Sequence, residues 1–180
     1  MRKVIYYIAT SADGFIASQD GGVDKFLMEG PHVDDFQQEL QQFSDVIMGA
    51  NTYRFGFQYG IQPGQPAYPG LKHWVVSTHL KFPSSQEVVC LSDDVLSTLQ
   101  SLKESGGPSI WLCGGGELAG WMMAQGLIDE VKLKVNPFFL GQGIPLFGRG
   151  SALPARATLK TSRQYSNGVV ILHYTVEASG

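Results

Sequence analysis

The sequence predicts a three-layer α/β fold whose central sheet is mainly parallel and ends in an antiparallel hairpin. Apolar strand-like runs alternate with helical runs from Val4 to Val135, as in chains built from strand–helix–strand units. Beyond Val135, two strand-like runs are joined through Ser166-Asn167-Gly168, and Asn-Gly between such runs is a strong hairpin signal. The 180 residues contain no internal repeat or linker-like segment, so we expect residues 1–180 to form one domain.

The first half of the chain is predicted to contain short strands and one longer helix. Apolar residues at Val33, Phe36, Leu40 and Phe43 have helical spacing, and Pro31 stands just before them. The predicted elements of this half are strand Val4–Thr10, loop Ser11–Gly22 interrupted by Phe15-Ile16, helix Val33–Phe43, strand Asp45–Met48, a helical turn at Thr52–Phe57 and the irregular segment Gln62–Gly70.

The second half continues the alternation of strands and helices. Ser92-Asp93-Asp94 is a favourable N-cap region for the third helical run, and Ser105-Gly106-Gly107-Pro108 is typical of a helix end. The predicted elements are strand His73–Ser77, strand Val88–Leu91, helix Val95–Lys103, strand Ile110–Cys113, helix Glu117–Gln125, strand Glu130–Val135, and the hairpin strands Ala157–Tyr165 and Val169–Glu177.

The composition favours a small-molecule partner. The net charge is −3, and the 13 Lys and Arg residues are spread along the chain without a basic cluster. We therefore expect neither a nucleic acid nor a membrane surface as a partner. No apolar stretch approaches the roughly 20 residues that span a bilayer.

The N-terminus and the cysteines favour a cytoplasmic protein. The apolar run Val4–Ala9 is too short for a signal peptide and contains Tyr6 and Tyr7, so a first strand is the better interpretation. Cys90 and Cys113 lie in apolar strand-like runs; a disulfide between them stays an alternative, but buried reduced thiols are the usual outcome without a secretory signal. The four histidines show no metal-ligand spacing, so no metal site is expected.

Three consecutive glycines, Gly114-Gly115-Gly116, stand between an apolar strand and a helix. Glycines there let the backbone approach a ligand closely, and the helix that follows adds its positive dipole end, which favours a phosphate. The spacing differs from the G-x-G-x-x-G fingerprint, and a glycine turn that serves only packing is the competing interpretation. Glu117 would repel a pyrophosphate, so we expect its carboxylate to turn away.

The surroundings of these glycines resemble a known family. Trp111–Phe147 contains the triple glycine followed by Leu118, a helix, Leu127-Ile128-Asp129-Glu130 and the loop Gly141–Phe147. This order is similar to the C-terminal reductase domain of the bifunctional riboflavin-biosynthesis deaminase–reductase, a branch of the dihydrofolate-reductase-like fold. Two earlier segments, Ser11–Ala17 and Met48–Thr52, resemble the S-x-D-G-x-I-A and M-G-x-x-T motifs of that family, so the resemblance covers nearly the whole chain.

The resemblance implies an NADPH site built from four segments. Gly49, Asn51 and Thr52 would hold the phosphates on the adenosine side. Ser77 and Thr78 would flank the adenosine ribose and its 2′-phosphate, although in isolation a strand-end cap is the more common role for such a pair. The pyrophosphate would lie on the glycine turn and the helix start, and the nicotinamide on the first strand and loop. The residues for these two parts are Gly114, Gly115, Gly116, Glu117 and Leu118, and Ala9, Ile16 and Ala17.

The chain departs from its relatives at the phosphate and substrate sides. Dihydrofolate reductases often place an arginine after the glycine that corresponds to Gly49, where this chain has Ala50; Arg54, His79 or Lys81 could take over its contact with the 2′-phosphate. The zinc-deaminase signatures H-x-E and P-C-x-x-C are absent from the sequence. The segment 18–33 is acidic, so a phosphorylated substrate is not expected.

Two carboxylates are candidates for the proton donor. Dihydrofolate reductase places one carboxylate on the helix after the first loop, and the corresponding helix here carries Asp34 and Asp35, with His32 before them and Phe36 expected to line the pocket. Acidic residues are also common in the first helical turn for dipole reasons alone. Asp13 is a further candidate, although Asp-Gly is first of all a turn signal.

The expected function is therefore an NADPH-dependent reductase that acts on a small heterocyclic or carbonyl substrate. A dihydrofolate reductase and a non-catalytic NADPH-binding module are the alternatives. The resemblance also implies a homodimer, for which the apolar C-terminal hairpin and the pairs Phe138-Phe139 and Leu146-Phe147 could supply the contact surface.

Overall fold

The computed structural model describes residues 1–150 and 154–177, and in these the helices and strands follow the predicted order. The strands are β1 Val4–Thr10, β2 Phe15–Ala17, β3 Phe43–Gly49, β4 Lys72–Val76, β5 Val88–Leu91, β6 Ser109–Gly114, β7 Glu130–Val135, β8 Ile144–Pro145, β9 Ala157–Gln164 and β10 Val170–Val176. The α-helices are α1 Pro31–Leu40, α2 Ala50–Phe55, α3 Val95–Glu104 and α4 Gly116–Ala124, and a 3₁₀ turn follows α2 at Gly56–Tyr59.

Eight of the strands form one sheet in the order β5-β4-β3-β6-β1-β7-β10-β9. The first six strands of this order, from β5 at the edge to β7, run parallel to one another. Strand β10 pairs antiparallel with both β7 and β9. The hairpin β9–β10 turns at Asn167-Gly168, where the Tyr165 N–H donates to the Val169 carbonyl and Gly168 has φ +91°. The predicted fold class, a mainly parallel sheet with a C-terminal antiparallel hairpin, is confirmed.

Helices cover both faces of the sheet. On one face, Phe36 and Leu40 of α1 pack against a buried cluster that contains Tyr7 and Trp111. On the other face, α3 and α4 pack against the strands through the buried side chains Leu99, Leu102, Ala119 and Met122. The apolar faces that the sequence periodicity predicted are therefore the faces that build the core.

The parallel direction brings four loops to one edge of the sheet. Strands β1, β3, β4 and β6 all end there, and the register places Met48 of β3 opposite Gly114 of β6. Loops at the carboxyl ends of parallel strands are the usual location of ligand sites in such sheets.

Three local predictions differ from the structure. Helix α1 ends at Leu40 rather than Phe43, because Phe43 begins β3 and its ring packs 6.5 Å from that of Trp111. The short pair β2–β8 was not predicted as a sheet; it joins residues more than 120 positions apart. Asp94 precedes α3 with a left-handed backbone, φ +50°, and makes no side-chain cap.

Within the described residues, none of the helices has both the length and the apolar character that a membrane crossing requires.

Candidate active site

A cleft of about 1730 Å³ lies along the edge where the parallel strands end. Its walls include every predicted cofactor-binding residue except Gly114, which directly precedes the cleft-lining Gly115. The predicted residues that line it are Ala9, Ile16, Ala17, Gly49, Asn51, Thr52, Ser77, Thr78, Gly115, Gly116, Glu117 and Leu118. Four segments that are far apart in the sequence thus share one concave surface.

The three glycines are required for three different reasons. Gly114 has φ +125°, a conformation that side chains with a Cβ rarely adopt, and the peptide bond to Gly115 is cis. Gly115 faces the cleft, where an added Cβ would lie 3.6 Å from the Thr52 Oγ1. Gly116 is a packing glycine, since an added Cβ would lie 2.5 Å from the Pro145 carbonyl oxygen. The packing interpretation therefore holds for Gly116, and the approach of a ligand is open at Gly115.

The start of α4 offers unpaired hydrogen-bond donors to the cleft. The first backbone bond of this helix runs from the Ala119 N–H to the Gly115 carbonyl at 3.0 Å. The N–H groups of Gly116, Glu117 and Leu118 have no acceptor among the described residues, as is usual for a first helical turn. Gly49 lies opposite, where an added Cβ would be 3.7 Å from the Gly115 nitrogen. This geometry fits an anionic group such as a pyrophosphate.

The Glu117 carboxylate is held away from these donors by the loop after β8. Its Oε1 accepts the Arg149 N–H at 2.9 Å, and an added Cβ at Gly148 would lie 2.6 Å from the Glu117 carboxyl carbon. Arg149 in turn donates to the Gly143 carbonyl at 3.1 Å. Glu117 thus fastens this loop to α4, so its negative charge is committed to a protein donor.

Two basic side chains line the cleft near the segments predicted for the adenosine side of the cofactor, Arg54 on α2 and His79 after β4. Arg54 and His79 both line the cleft, whereas Lys81 does not. The Arg54 Nη1 donates to the Asn51 Oδ1 at 3.1 Å. Ser77 behaves as a strand-end cap, because its Oγ accepts the N–H groups of His79 at 3.1 Å and of Leu80 at 2.8 Å.

The β1 end of the cleft is aromatic and carries one lysine. The rings of Phe36 and Tyr68 line it, and behind them Tyr7 lies 5.0 Å from Phe36 between ring centres. The Nζ of Lys134 lies 3.8 Å above the centre of the Phe36 ring. Lys134 is the register partner of Ala9 in the parallel β1–β7 pair, so the two side chains project from the same face.

Asp34 and Asp35 lie outside the lining of the cleft. Asp34 is exposed. The Oδ2 of Asp35 accepts the Tyr165 hydroxyl at 2.6 Å and pairs with the Arg163 Nη1 at 2.6 Å, on the side of α1 that faces the β9–β10 hairpin. Because α1 turns a different face to the cleft, their placement argues against the predicted catalytic role of both carboxylates.

The other polar candidates near the first loop have structural partners. The Asp13 carboxylate accepts the Ser11 hydroxyl at 2.6 Å and the N–H groups of Leu140 at 3.1 Å and Gly141 at 2.8 Å, and these bonds hold the pKa of Asp13 below its usual value. His32 is buried, with Nε2 bonded to the Leu27 carbonyl and Nδ1 to the Asn167 amide. Asp13 therefore anchors a loop rather than lining the cleft.

Several cleft residues escaped the sequence interpretation. Lys134 and Asn136 are two residues apart at the end of β7, and strand alternation places both on the cleft side, so the pattern could have revealed them. Tyr68 lies in the irregular, proline-rich segment, where no periodicity predicts which side chain points inward. The Cys113 thiol also lines the cleft; burial raises its pKa to about 12, which keeps it protonated.

Comparisons with known proteins agree with this geometry. Residues 2–171 match the family described as the RibD C-terminal domain. The uncharacterized protein YyaP of Bacillus subtilis (strain 168) is 30% identical over 182 residues, which cover 96% of this chain and 94% of that protein.

Two crystal structures share the fold. One is of a protein from Shewanella sp. PV-4 ascribed to riboflavin biosynthesis, with a TM-score of 0.80, 21% identity and coverage of 98% of this chain and 99% of that one. The other is a diaminohydroxyphosphoribosylaminopyrimidine deaminase/5-amino-6-(5-phosphoribosylamino)uracil reductase from Thermotoga maritima, with a TM-score of 0.71 and 17% identity. The alignment with the second covers 97% of this chain and 56% of that one. The chain belongs to the RibD C-terminal domain family.

Proposed function

We propose that this chain is an NADPH-dependent reductase that transfers a hydride to a small heterocyclic or carbonyl substrate. One observation carries the proposal: the cofactor segments named by the family resemblance line a single cleft, with three N–H groups at the start of α4 that have no acceptor among the described residues. A pyrophosphate needs such donors, and a helix N-terminus also offers a favourable dipole.

The cleft has a suitable place for each part of the cofactor. The pyrophosphate would lie between Gly49 and the first turn of α4, and the adenosine ribose beside Thr78. The nicotinamide would lie against Ala9 and Ile16, next to the aromatic end of the cleft. When bound there, NADPH supplies a hydride to the substrate and is left as NADP⁺.

Arg54 and His79 support a preference for the 2′-phosphate. Both side chains are exposed and line the cleft, with His79 bonded to the Thr78 hydroxyl and Arg54 to the Asn51 side chain, and a guanidinium can bind a phosphate through two parallel bonds. They would replace the arginine that dihydrofolate reductases often carry where this chain has Ala50.

The aromatic end of the cleft supports a planar substrate. Phe36 and Tyr68 offer ring surfaces, and Lys134 and Asn136 are polar groups beside them. The Thermotoga maritima protein is by name a 5-amino-6-(5-phosphoribosylamino)uracil reductase. That compound should be assayed beside its dephosphorylated form, and we expect the dephosphorylated form to be preferred because the segment 18–33 is acidic. The dihydrofolate reductase alternative is disfavoured, because neither Asp34 nor Asp35 reaches the cleft to serve as its acid.

A fluorescence titration of the whole chain with NADPH and NADH tests the proposal. We expect NADPH to bind at least tenfold more tightly. Arg54→Ala should weaken NADPH binding by about tenfold, the value of one charge-assisted contact, and leave NADH binding nearly unchanged. Lys81→Ala is the matched control, since this exposed lysine lies outside the cleft lining. Tighter binding of NADH would overturn the NADPH assignment, and binding of neither cofactor would overturn the reductase.

A further inference from the structure

The Lys134 side chain lies where the predicted nicotinamide site meets the aromatic end of the cleft. It is half-buried, it lines the cleft, and its neighbour across the β1–β7 pair is Ala9, against which the nicotinamide would lie. Its Nζ is 3.8 Å from the centre of the Phe36 ring and 5.7 Å from that of Tyr7. The aromatic faces stabilise the cation without neutralising it.

No carboxylate pairs with this ammonium group in the described part of the chain. On α1, Glu39 is committed to Lys132, which stands two residues before Lys134 on the same face of β7. On β10, the His173 Nε2 is bonded to Glu130 at 2.7 Å.

The remaining titratable neighbours are uncharged phenols and a thiol. The pKa values of Tyr7, Tyr68 and Cys113 are all raised, so the three groups stay protonated at neutral pH. The main cause is burial for Tyr7 and Cys113, and for Tyr68 it is the nearby Cys113 followed by burial. Burial also lowers the pKa of Lys134 to about 8. The lysine can therefore exchange between ammonium and amine near physiological pH, which is the property of an acid that donates and regains a proton.

The carboxylates of the cleft wall are held by other groups. Glu117 accepts the Arg149 N–H, and the Asp20 Oδ1 accepts the Ser18 hydroxyl at 2.5 Å and the Gly22 N–H at 2.9 Å. Lys134 is thus an ionisable group beside Ala9 whose donors are bonded to no other described residue and are free for a substrate.

We propose that Lys134 is the catalytic acid of the reduction, an inference that rests on the proposed function. As the carbon of a C=N or C=O bond accepts the hydride, the Lys134 ammonium transfers a proton to the nitrogen or oxygen of that bond. The product gains one C–H and one N–H or O–H bond, and the neutral amine takes a proton back from water through the open cleft. The proposal assigns the substrate class as a planar compound that presents such an acceptor atom to the β7 side of the cleft.

Proton release on cofactor binding tests this position without any turnover. The oxidised nicotinamide is positively charged, whereas the reduced ring is neutral. The Lys134 ammonium a few ångströms away is repelled only by the oxidised ring. This repulsion lowers the pKa of Lys134 by about one unit or more. At pH 8, where Lys134 is about half protonated, NADP⁺ should release about 0.4 proton more than NADPH. The comparison of the two cofactors removes the contribution of the 2′-phosphate, which both carry.

The measurement is isothermal titration calorimetry of the whole chain in phosphate and in Tris, whose ionisation enthalpies differ. We expect the extra release in the wild type and in Lys81→Met, the matched control, which changes an exposed lysine outside the cleft lining. We expect none in Lys134→Met, whose side chain fills the same space, nor in Lys134→Arg, whose guanidinium stays charged. Equal proton release for two tightly bound cofactors, or extra release that persists in either Lys134 variant, would overturn the inference alone. Failure of both cofactors to bind would overturn the proposed function and the inference with it.

Discussion

At the scale of single residues, the neighbours Gly115 and Gly116 differ in their surroundings: Gly115 faces the cleft and Gly116 is packed against protein backbone. Gly116 is enclosed by backbone, with the Pro145 carbonyl oxygen 2.5 Å and the Gly148 nitrogen 2.9 Å from an added Cβ. At Gly115, the one described atom that an added Cβ would meet within 4 Å is the Thr52 Oγ1, at 3.6 Å, on the open side of the cleft. A methyl group at Gly116 therefore collides with the protein, whereas one at Gly115 would enter the proposed pyrophosphate position.

Alanine substitutions should separate stability from cofactor binding at these two positions. Gly116→Ala should lower the free energy of unfolding by about 1–3 kcal/mol, because fixed backbone atoms have to move. Gly115→Ala should change it by less than about 1 kcal/mol and weaken NADPH binding by at least about tenfold, since the methyl group enters the pyrophosphate position. Urea unfolding and NADPH fluorescence measure the two effects. A reversed pattern, with Gly115→Ala unfolding the protein and Gly116→Ala losing only the cofactor, would contradict this assignment.

The carboxylates of α1 show where sequence reasoning on single residues failed. The cleft is lined by Val33, Phe36 and Gln37, the same helix face whose apolar spacing predicted the helix. At about 100° per residue, Asp34 and Asp35 fall outside that face. The helical periodicity was sufficient to place both carboxylates outside the cleft, whereas the chemistry of their side chains suggested a catalytic role.

Lys134, the proposed catalytic acid, was less accessible from the sequence. Lys134 is separated from Asp35 by almost 100 residues in the chain and reaches the cleft only because β7 pairs with β1 in the observed register. Strand alternation alone indicates its face of the sheet but not which ligand part lies there.

At the scale of elements, the loop between β1 and β2 is fastened to the segment that follows β7. Asp13 accepts the N–H groups of Leu140 and Gly141, and Gly143 packs so closely that an added Cβ would lie 2.3 Å from the Ala17 carbonyl oxygen. The resemblance identified both segments as motifs. Their mutual contact, including the pair β2–β8, was not predictable, because two- and three-residue strands carry no periodic signal.

Removal of the Asp13 carboxylate should loosen this contact selectively. In Asp13→Ala, amide hydrogen exchange at Leu140 and Gly141 should be several-fold faster, while exchange in the core strand β6 should stay unchanged. Because the folded pKa of Asp13 lies below its usual value, the wild-type contact should also weaken as the pH falls through that lowered pKa. Asp20→Ala is the matched control, an exposed carboxylate just after β2 whose hydrogen-bond partners among the described residues are Ser18 and Gly22. Equal exchange rates in wild type and Asp13→Ala would show that the carboxylate does not hold the loop.

At the scale of the whole molecule, the parallel direction of most strands and the terminal hairpin were the most predictable properties, and the ion pairs that link the strands were the least. Alternating runs and the Asn-Gly turn at Asn167 predict parallel strands and a terminal hairpin, since each signal is local. The contacts of Glu130 depend on three segments that meet only after folding: Lys3 before β1, Lys160 on β9 and His173 on β10. No local pattern indicates which charges become neighbours across a sheet.

Glu130 should make the stability of the sheet depend on pH in the acidic range. Burial favours the neutral acid, but hydrogen bonds from Lys3, Lys160 and His173 outweigh it and hold the pKa of Glu130 at about 2. A folded pKa below the unfolded value of about 4.3 means that the stabilisation is complete above pH 4.3 and is lost as the pH falls towards 2.

The substitution Glu130→Gln should therefore cost about 1–3 kcal/mol in the free energy of unfolding at pH 7, because a charged acceptor of three donors becomes neutral. The difference from wild type should shrink as urea unfolding is repeated from pH 5 down to pH 3, since protonation removes the same charge from the wild type. Glu177→Gln, which changes an exposed carboxylate at the end of the same hairpin, should have little effect at any pH. A cost that stays constant over this range would mean that Glu130 stabilises the sheet through its packing and not through its charge.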